Sequence, residues 1–209
     1  MSTRSHAWVR VADDDFWSVV TRQRACRTFS DEPVPDDVLA QVLRAATFAP
    51  SAENRQPWEF VVVRDAAKRR TIADVMQRAW EAYGREFSAP RSTQSLLRDV
   101  DRGMTGGFAT APVFVVVAAD VERTLEVTVP SSILPAVQNL LLAATALGLG
   151  SALTTIALMA EEIMPMLGLP SHVQPVAVVP LGWPARPLGP PRRDPFEQHT
   201  HRDTYGAPW

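Results

Sequence analysis

The sequence predicts an α+β fold, an α/β sandwich in which helices flank a central mixed sheet. Three short runs rich in β-branched residues have the composition of buried strands, at Trp58–Val63, Val113–Ala119 and Val176–Leu181. The segments between them are longer and carry apolar residues at helical spacing. Strand–helix–strand units are too few for a complete doubly wound sheet, which favours the α+β arrangement.

Residues 1–209 are expected to form one globular domain. Of these 209 residues, 46% are hydrophobic and 21% are charged, which is enough apolar material for a sizeable core. The formal net charge of -2 gives no bulk attraction to nucleic acid, so no nucleic-acid partner is predicted. The single cysteine, Cys26, excludes an intrachain disulfide framework. Because the first segment also has no apolar signal-like run, we expect a cytoplasmic protein.

The first half of the chain is expected to be mainly helical around one strand. Residues 1–12 are predicted to be a flexible N-terminus, and Asp13–Arg24 a short helix. The segment PVPDDVLAQVLRAATFAP predicts a second helix, with Asp36 as its cap. Asp65–Phe87 has the pattern of a polar helix with one apolar stripe. The charged segment 88–110 is predicted to be irregular and is a candidate lid over a pocket.

The second half contains one long apolar segment and a proline-rich tail. Ile133–Leu153 approaches the ~20 apolar residues of a membrane span. It carries Pro135, Gln138 and Asn139, however, and predicts a helix buried in a core or a subunit interface, with no membrane association. Six of the 26 residues of 184–209 are proline, which excludes a compact helix or a central strand. Because this tail also holds three large aromatic residues, we predict an extended C-terminal arm laid on a surface such as that of a second subunit.

Several common kinds of site are not indicated by the sequence. Neither a G-x-G-x-x-G loop after a strand nor a G-x-x-x-x-G-K-[ST] loop occurs. Cys26 has no general base near it in sequence, which favours a buried apolar thiol. His199 and His201 lack a third ligand, so no metal site is predicted. We assign no catalytic side chain.

Three polar clusters and a late pair of arginines remain as candidates for a binding site. They are RQRACRTF at Arg22–Phe29, PSAENRQPW at Pro50–Trp58, GSALTT at Gly150–Thr155, and PPRRDP with Arg192 and Arg193. Arg24 and Arg27 lie three residues apart at the end of a helix, a spacing that puts both guanidiniums on one side. Converging guanidiniums suit a phosphate because they offer paired donors to its oxygens.

These blocks together resemble the nitroreductase family of FMN flavoproteins. The usual pattern of that family is R-R-S-x-R-x-F, then P-V-P, then A-P-S-x-x-N-x-Q-P-W-x-F, and the chain has RQRACRTF, PVP and APSAENRQPWEF in that order. The similarity continues in PAVQNLLLAATALGLGSALTT and in RRDP, so it covers nearly the whole chain from Val20 onward. The segments GLGSALTT and HRDTYGAPW are similar to an actinobacterial branch of the family.

The resemblance implies a nitroreductase-like fold and a homodimer with FMN at the subunit interface. Gln23, Arg24 and Ala25 would lie at the FMN phosphate, together with Arg193 from the tail. Arg27 would face the N1–C2=O edge of the flavin, where two-electron reduction leaves negative charge that a cation stabilises.

The same resemblance assigns the two other clusters to the flavin ring. The loop of the partner subunit would contact the isoalloxazine and ribityl chain through Pro50, Ser51, Ala52 and Asn54, while Gln56 braces that loop and Trp58 packs in the core. The residues expected near flavin N5 are Leu153, Thr154 and Thr155.

Two departures from the family pattern bear on cofactor affinity. Ala25 stands in place of the usual serine and removes a hydroxyl donor, and Gln23 stands in place of the first arginine and removes a formal charge. Unless Arg22 or Arg192 compensates, FMN is expected to bind more weakly than is usual in the family.

The function implied is that of an FMN-dependent oxidoreductase that uses NADPH or NADH. Hydride would pass from the nicotinamide to the flavin, and then to a planar small-molecule acceptor such as a nitroaromatic or a quinone, with ping-pong kinetics. The alternative is a flavin-sequestering protein of the same fold with little turnover.

Two related activities are favoured less. The oxygen-dependent synthesis of dimethylbenzimidazole is typical of relatives with aspartate where Ala25 stands, and iodotyrosine deiodination needs a lysine that the segment 80–110 lacks.

Overall fold

The structure is a computed structural model that describes residues 15–159 and 161–209, except the side chain of Met159. The flexible N-terminus expected at 1–12 lies outside these residues, as do the first two residues of the helix expected at Asp13–Arg24. The helices are α1 (Phe16–Arg22), α2 (Asp36–Ala46), α3 (Ala66–Ala79), α4 (Arg85–Ser88), α5 (Gln94–Arg102), α6 (Val129–Ala146) and α7 (Ile163–Leu167).

One antiparallel sheet forms the centre of the fold. Its strands are β1 (Trp58–Val63), β2 (Val113–Asp120), β3 (Gly150–Ser151) and β4 (Val173–Gly182), in the spatial order β1-β2-β4-β3. The three strands predicted from composition are confirmed as β1, β2 and β4. The pairings between named strands are antiparallel, and the expected mixed character is limited to a parallel bridge between Ala25 and Ser151.

The alternating side chains of β2 divide the interior into two cores. Val113, Val115 and Val117 face a core shared with α2 and α6, whereas Phe114 and Val116 face a second core shared with α3. This division follows from the two-residue period of a strand. Because helices cover both faces of β2, its residues are buried up to Asp120, and the sandwich expected from the sequence is confirmed.

The long apolar helix expected from the sequence is α6. By length and composition alone, Glu126–Ala146 could cross a membrane. In this fold it packs through fully buried residues such as Ile133 and Val137 against the sheet and α2. The helix ends before Gly148, whose φ of 81° lies in the left-handed region, so it does not run on to Leu153 as the apolar pattern suggested.

Two further expectations for the helices are wrong. Pro35, rather than Asp36, is the N-cap residue of α2, and the Asp36 carboxylate pairs with Arg64 at 2.8 Å. The segment 88–110, expected to be irregular, is largely helical because it contains α5. That helix begins after Thr93, whose Oγ1 accepts the Leu96 N–H at 3.2 Å.

Replacing Gly150 with alanine should destabilise the protein. A Cβ at this position would come within 2.6 Å of both Cβ and Sγ of Cys26, and within 3.2 Å of Pro184. Overpacking of this kind costs about 1–3 kcal/mol in the free energy of unfolding. Gly189→Ala is the matched control, because a Cβ there has open space around it. Denaturant unfolding of the two variants gives the comparison, and equal stabilities would contradict the close packing of β3 on Cys26.

Candidate functional site

The arginine-rich turn after α1 is held against the edge of the sheet. The Cys26 N–H donates to the carbonyl oxygen of Ser151 at 2.8 Å, and Ala25 forms a parallel bridge with the same residue of β3. Farther along, Phe29 forms an antiparallel bridge with Pro184, just beyond β4. The turn therefore lies between β3 and the start of the C-terminal arm, and segments far apart in sequence meet at one end of the sheet.

A pocket of about 230 Å³ opens beside this turn. Arg24 Nη1 donates to the carbonyl oxygen of Gly189 at 2.9 Å, and Arg27 Nη1 donates to Asp99 Oδ2 at 2.7 Å. Because three arginines and one carboxylate are present, the pocket carries an excess of positive charge and suits an anion. Its lining consists of Arg24, Ala25, Arg27, Thr28, Asp99, Arg186, Pro187, Leu188 and Gly189.

The segment predicted to be a lid forms one wall of this pocket through Asp99 of α5. The turn after α5 lies directly on Arg27. A Cβ at Gly103 would come within 2.9 Å of the Arg27 side chain, and one at Gly107 would collide with the Arg27 carbonyl oxygen. Motion of this segment as a lid stays a prediction.

The structure gathers part of the residue set expected at FMN. Arg24 and Ala25, which were expected at the phosphate, line the same pocket as Arg27, which was expected at the flavin edge. Gln23 does not belong to that lining. It is the C-cap residue of α1, and its N–H donates to the carbonyl oxygen of Val19 at 3.0 Å. Its assignment to the phosphate therefore rests on the resemblance alone.

Within the described residues, the arm contributes Arg186 to the pocket rather than Arg193. The Ala185 N–H donates to the carbonyl oxygen of Thr28 at 3.1 Å, which sets Arg186 beside the turn. Arg193 is exposed and donates to the backbone carbonyl of Arg192 at 2.8 Å. Sequence reasoning missed Arg186. The feature that could have indicated it is its position shortly after β4, a strand that ends at the site. A phosphate contact by Arg193 stays a prediction.

Hydrogen bonds hold the loop that carries Pro50, Ser51, Ala52, Asn54 and Gln56, but this loop lies outside the pocket lining. Ser51 Oγ accepts the Gln56 N–H at 3.0 Å, and the Ala52 N–H donates to the buried Ser132 Oγ at 3.1 Å. Glu53, Asn54 and Gln56 have φ values of 53°, 54° and 50°. Such values are uncommon for residues other than glycine, and tertiary contacts must maintain them. Gln56 does brace the loop, chiefly through its backbone, and the expected burial of Trp58 is confirmed.

The cluster after β3 presents two of its three expected residues to solvent. Thr154 is buried, and its backbone exchanges hydrogen bonds with Val178 at 3.0 and 2.8 Å. Its Oγ1 also accepts the Ile156 N–H at 3.3 Å. The Thr154 hydroxyl and N–H are thus engaged inside the protein. Leu153 and Thr155, on either side of it, are exposed and adjoin the strand that holds the arginine turn.

The Cys26 thiol contributes to the site by packing rather than by chemistry. Burial raises the pKa of the Cys26 thiol above its ordinary value of 9.0, although a hydrogen bond to the Thr28 carbonyl oxygen and the charge of Arg27 act in the opposite direction. A neutral buried thiol is a poor nucleophile, as the sequence suggested. The Ser151 Oγ is buried and, among the described residues, has no hydrogen-bond partner.

Three residues of metal-ligating type meet at the opposite end of the sheet. The ligand atoms of Asp120, Glu122 and His172 all lie within 4.8 Å of one another. Sequence reasoning missed this group because His172 lies far along the chain from the two acids. Asp120 Oδ1 accepts the Glu122 N–H at 3.0 Å, as in a polar turn. The Val121 N–H donates to the carbonyl oxygen of His172 at 2.9 Å, so we interpret the group as the contact between the turn after β2 and the residue before β4.

The fold and the sequence match known proteins over most of the chain. A model of the Nitroreductase family matches residues 20–183. A Methanothermobacter thermautotrophicus protein, whose name pairs NADH dehydrogenase with NAD(P)H nitroreductase, is 31% identical over 193 residues, which are 90% of this chain and 86% of that protein. Iodotyrosine deiodinase 1 of Rattus norvegicus is 27% identical over 85% of this chain and 65% of its own length.

A solved structure extends this similarity to three dimensions. The crystal structure of a Desulfovibrio desulfuricans nitroreductase in complex with FMN is 27% identical in sequence and has a TM-score of 0.66. The superposition covers 90% of this chain and 96% of the other. This chain, with its sandwich of helices around an antiparallel sheet and its arginine turn at the end of β4, belongs to the nitroreductase family.

Proposed function

We propose that this protein is an FMN-dependent oxidoreductase that takes electrons from NADH or NADPH and passes them to a planar small molecule such as a nitroaromatic or a quinone. The observation that carries this proposal is the convergence of Arg24, Arg27 and Arg186 on one pocket at the end of the sheet. Flavin-dependent redox chemistry is also supported by similar proteins. Some relatives are named as nitroreductases or NADH dehydrogenases, and some structural neighbours have FMN bound.

The residues of the pocket fit the charged parts of FMN. Arg24 and Arg186 offer guanidinium donors to a phosphate, and exposed backbone at Gly189 leaves room for it. Arg27 is a fixed cation, which would stabilise the negative charge that reduction places at the flavin N1 edge. When bound, FMN would supply the two-electron chemistry between the nicotinamide and the acceptor. Leu153 and Thr155 would then be the exposed residues near the ring.

The proposal includes a homodimer. The loop at 50–56 is held in a strained conformation but does not line the pocket of its own chain, which is the expected arrangement if it completes the pocket of a partner. Large apolar side chains remain exposed on α1 and on the arm, including Trp17, Phe196 and Trp209. A second chain would remove them from water.

Sequestration of flavin with little turnover remains the second candidate. It is favoured by the segment 88–110, which forms one wall of the pocket through Asp99 of α5 and would cover a bound flavin. In that case the bound flavin would be shielded from nicotinamides.

Anaerobic reduction of the purified protein should distinguish the two candidates. We expect a yellow protein, or one that becomes yellow after FMN is added, whose visible flavin band bleaches rapidly with NADH or NADPH. Free FMN mixed with the same nicotinamide is the control for uncatalysed reduction. Persistent colour with both nicotinamides would favour sequestration, and a protein that remains colourless with added FMN would contradict both candidates.

Replacing Arg186 with alanine should weaken FMN binding roughly tenfold, because a charged hydrogen bond to phosphate is lost. Arg202→Ala is the control on the same arm, since Arg202 contacts the Trp209 ring and lies outside the pocket lining. Dissociation constants for FMN and for riboflavin, which lacks the phosphate, measure the effect. Riboflavin binding should change little.

Arg193→Ala tests the assignment based on resemblance against the assignment based on structure. A dissociation constant for FMN that rises with Arg193→Ala and not with Arg186→Ala would mean that Arg193 is the phosphate ligand from the arm.

A further inference from the structure

The carboxylate of Asp99 lies among three guanidiniums at the mouth of the pocket. Its Oδ2 is 2.7 Å from Arg27 Nη1. Its Oδ1 is 3.6 Å from Arg186 Nη2 and 3.7 Å from Arg102 Nη1. Two of these arginines, Arg27 and Arg186, line the pocket that we assign to an anion. Asp99 therefore neutralises part of the charge that the anion would use.

The Arg27–Asp99 pair is the strongest of these contacts. Both side chains are largely withdrawn from water, with 17% of Arg27 and 26% of Asp99 exposed, whereas Arg102 and Arg186 are more than half exposed. A short charged pair with limited exposure to solvent is screened less than a surface pair. An anion that binds Arg27 must therefore compete with Asp99.

The helix that carries Asp99, α5, makes few buried apolar contacts. None of the residues of α5, all of which are described, is fully buried. Besides Asp99, Asp101 attaches this helix, since its Oδ1 accepts from Trp80 Nε1 at 2.9 Å and from Arg85 Nε at 3.1 Å. A helix held mainly by polar contacts has a low free energy of local unfolding. Loss of the contact between Asp99 and Arg27 should therefore make local unfolding of α5 more frequent.

We propose that Asp99 is a built-in competing anion that determines the affinity of the pocket for its phosphate-bearing ligand. Asp99 pairs with Arg27 and lies 3.6 Å from Arg186, so FMN would compete with it for both guanidiniums and inorganic phosphate would compete with it for Arg186. This inference rests on the proposed function, in which the anion is FMN. It also applies to inorganic phosphate, which allows the two ideas to be tested separately.

The first test compares ligand affinities of the flavin-free, full-length protein. Asp99→Asn removes the charge but keeps the shape and one acceptor oxygen, so we expect it to bind FMN and inorganic phosphate roughly fivefold more tightly than the unaltered protein. Asp99→Glu keeps the charge and should stay close to the original affinity. Asp101→Asn is the matched control, because it removes a charge on the same helix outside the pocket lining but keeps the Oδ1 acceptor for Trp80 and Arg85, so it should leave both affinities unchanged.

The second test follows the helix itself, first in the unaltered protein and then in Asp99→Asn. Inorganic phosphate is too small to cover α5, so its binding should speed amide hydrogen exchange in residues 94–102 of the unaltered protein. In Asp99→Asn these amides should already exchange faster without phosphate, and phosphate should add little.

The outcomes separate this inference from the proposed function. If Asp99→Asn binds both anions with equal affinity, Asp99 does not compete with them, and if it binds them more weakly, Asp99 positions Arg27 for the ligand; either result would make the inference wrong. If no form of the protein binds FMN, the proposed function fails, and the inference is then decided by phosphate alone. Failure of Asp99→Asn to bind phosphate, or exchange in 94–102 that phosphate leaves unchanged or slows, would overturn it.

Discussion

The hydrogen bond from the Cys26 N–H to the Ser151 carbonyl oxygen is the contact on which the site depends. It holds the arginine turn to β3, and β3 is itself held to the end of β4 by two residue pairs. The absence of a side chain at Gly150 allows this close approach. Because the arm continues from β4 and pairs with the same turn, Arg186 is placed by the same geometry as Arg24 and Arg27.

The chemistry that this geometry supports is electrostatic. The titratable groups lining the pocket are three arginines and Asp99, so the pocket offers fixed positive charge rather than an acid–base pair. That suits a bound cofactor that carries the redox chemistry itself and needs a protein to bind it, orient it and stabilise charge. It also accounts for the lack of an assigned catalytic side chain. Asp99 supplies a negative charge that pairs with Arg27 of the pocket, and it lies on a helix that makes few buried apolar contacts.

The sequence predicted the family, the strands β1, β2 and β4, and the position of Arg24, Ala25 and Arg27 at one pocket, because these depend on apolar periodicity and on a compact local motif. It could not predict β3, since GS has no strand-like composition and its pairing comes from tertiary contacts. Asp99 and Arg186 were missed because only the folded chain brings them to Arg27 from distant segments. The left-handed backbone of Glu53, Asn54 and Gln56 was equally unpredictable, as these residues have no intrinsic need for it.

In the proposed homodimer, each flavin site would combine the arginine turn of one chain with the loop at 50–56 of another. Co-expression of two differently tagged variants tests it most directly. The variants are Arg24→Ala/Arg27→Ala, with a defective turn, and Pro50→Trp/Asn54→Gly, with a defective loop, each checked for native helicity. We expect neither homodimer to retain FMN, whereas the purified mixed dimer, which regains one intact turn facing one intact loop, should bind roughly one FMN per dimer. A mixed dimer without FMN would contradict the claim, because sites built within one chain would both stay defective.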